Sequence, residues 1–240
     1  MRNRFLYIKN NKRKIHPISY LFFSAFFLLI FITWIVFIQP STALDDKIAD
    51  WMTTLVTDQR TSIMRVITFM GNFEFLLPAY FILIGLLLYF KQNRSAWRVA
   101  AIAISGLGLK LLLKELFHRV RPDHPMIQGI TNFSFPSGHA LMSVTFYGLL
   151  IWLAIRKIEK KSSRVLVILF LSIIIFTIGL SRIYLRVHYT TDVIAGFCIG
   201  ACWVCFCLWV TQKIDKHSIV TADTGNVAEE VDPKASINQE

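Results

Sequence analysis

Three short segments carry residue types that suit phosphoryl chemistry, and the last of them contains the best candidate for a reacting group. Ser181-Arg182 is followed after five residues by His188, and Asp192 lies four residues further on. If residues 189–193 are helical, His188 and Asp192 share one helix face. The carboxylate can then hold one imidazole nitrogen as N–H and leave the other unprotonated for attack on an electrophile. An ordinary structural hydrogen bond has the same spacing, so this pair alone does not identify a reaction.

The second segment, Phe135-Pro136-Ser137-Gly138-His139, precedes an apolar run. Proline and glycine before a helix predict a tight loop, and the first backbone N–H groups of that helix attract anions because they lack partners within it. The start of this helix, at Gly138, is therefore a candidate phosphate-binding site. His139 lies at the same helix start and is a candidate proton donor. The alternative interpretation is that Ser137 is an ordinary N-cap.

The first segment contains Lys114 and, after six residues, Arg121-Pro122. A compact ammonium group and a forked guanidinium group together suit a dianionic phosphate. Basic residues at helix ends also reach lipid headgroups for purely structural reasons, so this segment is weak evidence by itself. Its value comes from its position relative to the other two segments.

The elements that position these residues are predicted to be membrane-spanning helices. Hydrophobic residues make up 55% of the chain and the mean hydropathy is +0.53, which exceeds the usual values of soluble proteins. The apolar runs are close to the roughly 20 residues that a helix needs to cross a bilayer. The sequence therefore predicts an all-α, polytopic membrane protein with six transmembrane helices, at about residues 18–38, 67–90, 96–116, 138–155, 165–180 and 189–210. All three segments then lie at the same end of the helix bundle.

The domain organisation follows from the same pattern. A basic cytoplasmic N-terminus occupies residues 1–17, the membrane domain residues 18–211, and a disordered cytoplasmic tail residues 212–240. The first apolar run is too long for a signal peptide and lacks a small-residue cleavage pattern, so we interpret it as an anchor. Residues 41–66 place apolar side chains at helical spacing among aspartates, which predicts an extracytoplasmic amphipathic helical segment at the interface.

The distribution of basic residues predicts which loops face the cytoplasm. Short loops near residues 91–98, 156–164 and 213–216 are basic, which places them and both termini inside. Basic residues of the opposite loops violate this rule, and we attribute the violation to the chemistry of the site; they are Lys114, Arg119, Arg121, Arg182 and Arg186. The candidate site is then extracytoplasmic.

Net charge indicates the kind of binding partner, and the positions of the cysteines indicate whether they form disulfides. The formal charge is +11, but the basic residues form short clusters between apolar runs, which favours anionic lipid over nucleic acid as the partner. The four cysteines all lie within the last apolar run, where we expect them to be packing residues and not a disulfide framework; they are Cys198, Cys202, Cys205 and Cys207.

Taken together, the three segments resemble the tripartite signature of the type 2 phosphatidic acid phosphatase superfamily. The matching positions are Lys114, Arg121-Pro122, Pro136 to His139, Ser181-Arg182, His188 and Asp192, and the signature region is 114–192. The resemblance extends over about residues 41–211 and implies a lipid phosphatase in which His188 attacks phosphorus to form a phosphohistidine and Asp192 orients it. It further implies that His139 protonates the leaving oxygen. A phosphate cradle is implied at Lys114, Arg121, Arg182, Ser137 and Gly138.

The resemblance implies no metal and no cofactor, and a phospholipid or polyprenyl phosphate as substrate. Undecaprenyl diphosphate and phosphatidylglycerophosphate rank ahead of phosphatidate among the extracytoplasmic substrates of bacterial relatives. Arg119 and Arg186 lie outside the signature, so the sequence does not assign them to the site.

Three alternatives remain open at this stage. The same superfamily includes vanadium-dependent haloperoxidases, but those are soluble and have a longer spacing in the first segment. A metal site would have to be built from His118, His124, His139 and His188, among several fixed cations. A non-enzymatic lipid-binding or transport protein would also have six helices and a basic outer mouth, but it would not need the full set of reacting groups.

Overall fold

The structure is a computed structural model that describes residues 15–38, 42–129 and 132–229, with side chains described for residues 19–38, 42–129 and 132–214. It contains eight helices within these ranges: α1 (Ile15–Ile38), α2 (Ala43–Thr54), α3 (Asp58–Phe69), α4 (Phe73–Tyr89), α5 (Asn93–Leu116), α6 (Gly138–Lys157), α7 (Lys161–Tyr184) and α8 (Thr190–Glu229). No strand occurs in the described part of the chain. The all-α prediction is confirmed.

Five helices are long and apolar enough to cross a membrane by themselves, at Ser19–Ile38, Asn93–Leu116, Gly138–Lys157, Lys161–Tyr184 and Thr190–Ile214. A sixth span is formed only if α3 and α4 are taken together, with a bend of 42° between them. The count of five to six candidate spans confirms a polytopic membrane protein. Lipid favours this architecture because a helix satisfies its own backbone hydrogen bonds.

The predicted second span, residues 67–90, is wrong in its N-terminal part. The chain breaks between α3 and α4, where the Asn72 side chain accepts a hydrogen bond from the Phe73 N–H at 2.8 Å and begins a new helix. An N-cap of this kind satisfies a backbone donor that a continuous helix would not leave open. The apolar pattern alone did not reveal this break.

The predicted amphipathic segment at residues 41–66 forms two helices. Thr42 and Asp45 form a capping box at the start of α2, and Thr57 caps α3 by accepting from the Arg60 N–H at 3.3 Å. Two threonine caps within 16 residues therefore divide the segment. Asp45, which the pattern placed on the polar side of one helix, is buried.

The last helix does not end at the boundary predicted at residue 211. It continues to Glu229, because helix-forming residues such as Gln212 and Lys213 follow the apolar part and no proline occurs before Pro233. Residues 212–229 are helical here, in contrast to the predicted disordered tail. Residues 230–240, and residues 1–14 of the basic N-terminus, lie outside the described residues.

Helices α6 and α8 form the centre of the bundle, and two glycines bring them together. A Cβ atom added to Gly196 would lie 2.6 Å from the Ser137 carbonyl oxygen, and one added to Gly200 would lie 2.8 Å from the Leu141 carbonyl oxygen. Small residues four apart permit such close backbone approach in membrane helices. The N-terminal ends of α6 and α8, which carry two of the three signature segments, are held side by side as a result.

Candidate active site

The three signature segments converge at one end of the bundle. Lys114 lies in the last turn of α5 and Arg182 in the last turn of α7, whereas the second and third segments begin α6 and α8. Successive helices run in opposite directions, so the ends of α5 and α7 meet the starts of α6 and α8. The structure thus brings together residues that are up to 78 positions apart, Lys114 to Asp192.

His188 and Asp192 are adjacent, but they do not share a helix face as the sequence suggested. α8 begins at Thr190, so His188 precedes the helix. The Asp192 Oδ2 atom accepts from the Tyr189 N–H at 2.9 Å, which caps the helix, and lies 3.6 Å from His188 Nδ1. The pair is therefore created by the helix cap.

Ser134 contacts both His188 and Asp192. Its hydroxyl donates to Asp192 Oδ2 at 2.5 Å and lies 3.5 Å from His188 Nδ1. The Nδ1 atom consequently faces the carboxylate side of the site. The other ring nitrogen, Nε2, lies 3.5 Å from Nη1 of Arg121. His188 therefore presents Nε2 to the cationic side, where an anionic substrate would bind.

Burial sets the protonation state of His188. The side chain is almost fully buried, which lowers its pKa from 6.5 to about 4, and the neighbouring Asp192 carboxylate only partly opposes this shift. The imidazole is neutral at pH 7 and has an unprotonated nitrogen. Because the pKa is lower in the folded state, this group stabilises the fold above about pH 6.5, and that stabilisation is lost as the pH falls from there towards 4.

Arg121 and Lys114 form the cationic side. The Asn132 side-chain oxygen accepts from Lys114 Nζ at 2.7 Å and from Arg121 Nη2 at 2.5 Å. Arg121 also donates to the carbonyl oxygens of Asn132 and Val187, which fixes its plane next to His188. The two cations are thus close enough to share a single oxygen acceptor, as binding of a phosphate oxygen requires.

The loop before α6 is attached directly to α8. The Ser137 N–H donates to the Asp192 carbonyl oxygen at 3.0 Å, and the Ser137 hydroxyl accepts from the Ala140 N–H at 3.5 Å. Ser137 is fully buried and acts as the N-cap of α6. The capping interpretation of Ser137 is therefore correct, and it leaves the first N–H groups of α6, beginning with Gly138, as candidate anion donors.

Arg182 and His139 line a cavity of about 680 Å³ at the same end of the helix bundle. Arg182 is buried, and its Nη1 atom donates to the Thr68 hydroxyl of α3 at 2.8 Å. The Arg182 Nε atom is buried without a partner, which marks it as a donor available for a ligand. His139 is half-buried at the second position of α6.

The structure does not assemble the alternative metal site. Within the described residues, no three His, Cys, Asp or Glu side chains form a group that could hold a metal ion. His118 instead packs its ring edge-on against Phe133, with 4.4 Å between the ring centroids, and His124 is exposed. The cysteines of α8 are free thiols that are buried or half-buried, as expected for packing residues.

Several residues of the site have no signal in the sequence. Ser134, Asn132 and Thr68 are ordinary polar residues that only the tertiary contacts bring to the site. Arg119, which the signature omits, reaches the site and binds Asp192. Arg186 donates instead to the Thr53 hydroxyl of α2 at 2.5 Å and does not contact the phosphate-binding residues.

The sequence profile of the PAP2 superfamily matches residues 95–216, about half of the chain, and this range includes every signature residue. The chain belongs to the PAP2 superfamily. It is 30% identical over 139 residues to phosphatidylglycerophosphatase B of Bacillus subtilis (strain 168), a match that covers 58% of this chain and 68% of that protein. It is 29% identical over 134 residues to an undecaprenyl-diphosphatase of Sulfolobus acidocaldarius, covering 51% of this chain and 58% of that protein.

A solved structure supports the same family assignment. The crystal structure of a transmembrane PAP2 type phosphatidylglycerolphosphate phosphatase from Bacillus subtilis superposes with a TM-score of 0.71 at 25% identity. The superposition covers 82% of this chain and 97% of that one, so it extends well beyond the region that matches the PAP2 profile. This PAP2 chain is thus a multi-pass membrane lipid phosphatase.

Proposed function

We propose that the protein hydrolyses lipid phosphate monoesters or diphosphates at the outer face of the membrane, through a phosphohistidine on His188 and without a metal ion. The observation that carries this proposal is the orientation of the His188 ring. Its Nδ1 atom faces Asp192, and its Nε2 atom faces Arg121. A nucleophile held between an orienting carboxylate and a phosphate-binding cation is the arrangement that phosphoryl transfer to histidine needs.

In the first step, the lone pair of His188 Nε2 attacks phosphorus. The bond from phosphorus to the leaving oxygen breaks, and His139 donates a proton to that oxygen. Asp192 accepts the Nδ1 hydrogen bond and stabilises the positive charge on the ring. Lys114, Arg121 and Arg182 neutralise the phosphoryl oxygens, and because these cations are fixed in the chain, the step requires no metal ion.

In the second step, water attacks the phosphohistidine. His139, now neutral, accepts a proton from this water, and the N–P bond breaks to release inorganic phosphate and neutral His188. The low pKa of His188, about 4, favours this release because the ring returns to its neutral form. The enzyme is then ready for another substrate.

The cavity beside His139 supports a substrate whose leaving group is itself anionic. The leaving oxygen must lie close to His139, which protonates it. The leaving group therefore extends into the space lined by Arg182 and Arg65. No aspartate or glutamate is among the described residues that line this cavity. Undecaprenyl diphosphate and phosphatidylglycerophosphate both release a product that carries a phosphate anion, whereas phosphatidate releases a neutral one. The cationic lining therefore favours the first two lipids.

The function is tested by measuring phosphate release from the purified protein. Undecaprenyl diphosphate, phosphatidylglycerophosphate and phosphatidate are offered separately, each with EDTA present. We expect activity with EDTA, faster turnover of the first two lipids, and inhibition by orthovanadate, which can adopt a five-coordinate geometry with His188 as a ligand. Activity that is abolished by EDTA and restored by Mg²⁺ or Zn²⁺, with no effect of vanadate, would contradict the mechanism. Absence of release from all three lipids would favour a binding or transport role.

Arg65 provides a sharper test of the leaving-group side. It lies three residues before Thr68 on α3, so it is one turn away from the residue that holds Arg182. We expect Arg65→Gln to lower kcat/KM for an isoprenyl diphosphate by about tenfold, since a charged hydrogen bond to the phosphate that leaves with the isoprenyl chain is lost. The monophosphate of the same chain should change by less than about twofold, because its leaving group has no charge.

The control for this experiment is Arg60→Gln. Arg60 lies on the same helix, but its side chain donates to the Leu55 carbonyl oxygen at 3.1 Å and is not part of the cavity lining. The Arg60→Gln substitution removes the same positive charge from the same helix. Equal losses for the diphosphate and the monophosphate in Arg65→Gln, or the same loss in Arg60→Gln, would argue against an anionic leaving group in this cavity.

The proposed outer location of the site is tested by labelling single cysteines. Gln128 lies in the loop at the site end of the bundle and Ser162 at the start of α7, at the other end; both are exposed. In a variant without the four native cysteines, a cysteine at position 128 should react with an impermeant maleimide on intact cells, and one at 162 should not. The reverse pattern would place the site in the cytoplasm.

A further inference from the structure

Arg119 joins the catalytic aspartate to a helix outside the region that matches the PAP2 profile. Its Nη1 atom donates to Asp192 Oδ1 at 2.5 Å and to the Thr191 hydroxyl at 2.8 Å. Its Nη2 atom donates to Asp45 Oδ2 at 3.0 Å. The side chains of Asp45 and Asp192 are inaccessible, and that of Arg119 is only 8% exposed. One guanidinium thus connects two buried carboxylates.

Asp45 is itself held at several points. Its Oδ1 atom accepts from the Thr191 N–H at 2.9 Å, its carboxylate accepts from the Thr191 hydroxyl, and its Oδ2 atom accepts from the Thr42 N–H at 3.3 Å. The same carboxylate therefore caps α2 and binds the first turn of α8. This contact joins residues 146 positions apart.

The two oxygens of Asp192 have separate partners as a consequence. Oδ1 accepts from Arg119, whereas Oδ2 accepts from Ser134 and the Tyr189 N–H and faces His188. The guanidinium plane of Arg119 also lies against the Tyr189 ring, with 4.2 Å from its central carbon to the ring centroid. Rotation of the Asp192 carboxylate away from His188 would break several charged hydrogen bonds at once.

We propose that Asp45 and Arg119 are positioning residues that fix the Asp192 carboxylate and, through it, the His188 ring. They do not contact the substrate. Arg119 holds Oδ1 of Asp192 through Nη1, and Asp45 holds the same guanidinium through Nη2. The N-terminal end of α2 is therefore a functional part of the active site, although it lies outside residues 95–216.

A structural role alone gives a weaker account of these contacts. A buried ion pair is poor evidence for stability, because the cost of desolvating the charges offsets their attraction. An apolar contact could attach α2 to α8 without that cost. Unlike an apolar contact, the charged network fixes the rotation of the Asp192 carboxylate. In an active site, a displacement of about 1 Å can lower the rate roughly 100-fold.

The test is steady-state kinetics of Asp45→Asn, which keeps the shape of the side chain and removes its charge. We expect kcat to fall by about 10- to 100-fold, while KM changes by less than about twofold, because substrate contacts are retained. Asp45→Glu should recover part of the lost kcat, since it restores the charge. Asp50→Asn, an exposed change on the same helix, is the matched control and should behave as the wild type.

A second variant covers the case in which Asp45→Asn does not fold. Thr191→Val removes only the hydroxyl that contacts Asp45 and Arg119 and keeps the backbone N–H bond to Asp45. We expect a smaller loss of kcat, about three- to tenfold, again with an unchanged KM. Thermal unfolding in detergent, measured for every variant, gives the folded fraction by which kcat is corrected.

The inference rests on the proposed histidine mechanism, and the experiment separates the two. An unchanged kcat per folded molecule in both Asp45→Asn and Thr191→Val would overturn the positioning role, even with a lowered melting temperature. An increase of KM with unchanged kcat would overturn it as well, because it would indicate substrate binding. The histidine mechanism is tested independently by wild-type turnover and by removal of His188.

Discussion

Replacement of His188 by alanine is expected to lower phosphate release to below about 1% of the wild-type rate for every lipid substrate. Loss of a nucleophile commonly costs far more than 100-fold, because no other group replaces the covalent step. Among the residues whose side chains the structure describes, His188 is the histidine that lies between Asp192 and Arg121. The measurement is phosphate release per folded molecule, corrected for expression.

The buried position of His188 makes the choice of control important. The residue is only 3% exposed, so alanine leaves a cavity next to Ser134 and Asp192 and costs stability as well as activity. His188→Asn fills more of this space and retains a polar group towards Asp192, but it has no nucleophilic nitrogen. Both variants should be inactive, and the asparagine variant should melt closer to the wild type. Residual turnover above about 1% in the folded asparagine variant would reject His188 as the nucleophile.

Replacement of His139 by alanine is expected to have the second largest effect, and its size should depend on the leaving group. A general acid contributes about 10²- to 10⁴-fold, so hydrolysis of phosphatidylglycerophosphate, which releases an alkoxide, should fall by that range. An aryl phosphate releases a phenol with a pKa of about 10 and needs less protonation, so its loss should be smaller. A lipid diphosphate releases a phosphate group whose pKa is about 6, and we expect its loss to be the smallest.

His118→Ala is the matched control for this series. His118 lies in the loop after α5 and packs against Phe133, away from the cavity that His139 lines. It should have little effect on any of the three substrates. Equal losses in His139→Ala for the lipid monoester, the aryl phosphate and the diphosphate would contradict its role as proton donor and would point to a role in binding.

The sequence alone predicted the membrane class, which the structure confirms, and it named most residues of the proposed site. Apolar runs of bilayer length specify helices because lipid offers no partners for unpaired backbone groups. The signature residues Lys114, Arg121, Arg182, His188 and Asp192 were recognisable because the chemistry needs these types at helix ends, and helix ends are visible as changes in polarity. The N-cap role of Ser137 was one of two roles that the local sequence left open.

Other features were decided by the tertiary structure. Asp45, Thr68 and Ser134 become part of the site through contacts with residues 54 to 146 positions away, and no local pattern encodes such contacts. The burial of His188, which sets its pKa near 4, depends on how α8 begins beside the loop before α6. Spacing shows which residues could share a helix face, whereas desolvation and the allocation of hydrogen bonds depend on every neighbouring element, because both are properties of the packed assembly.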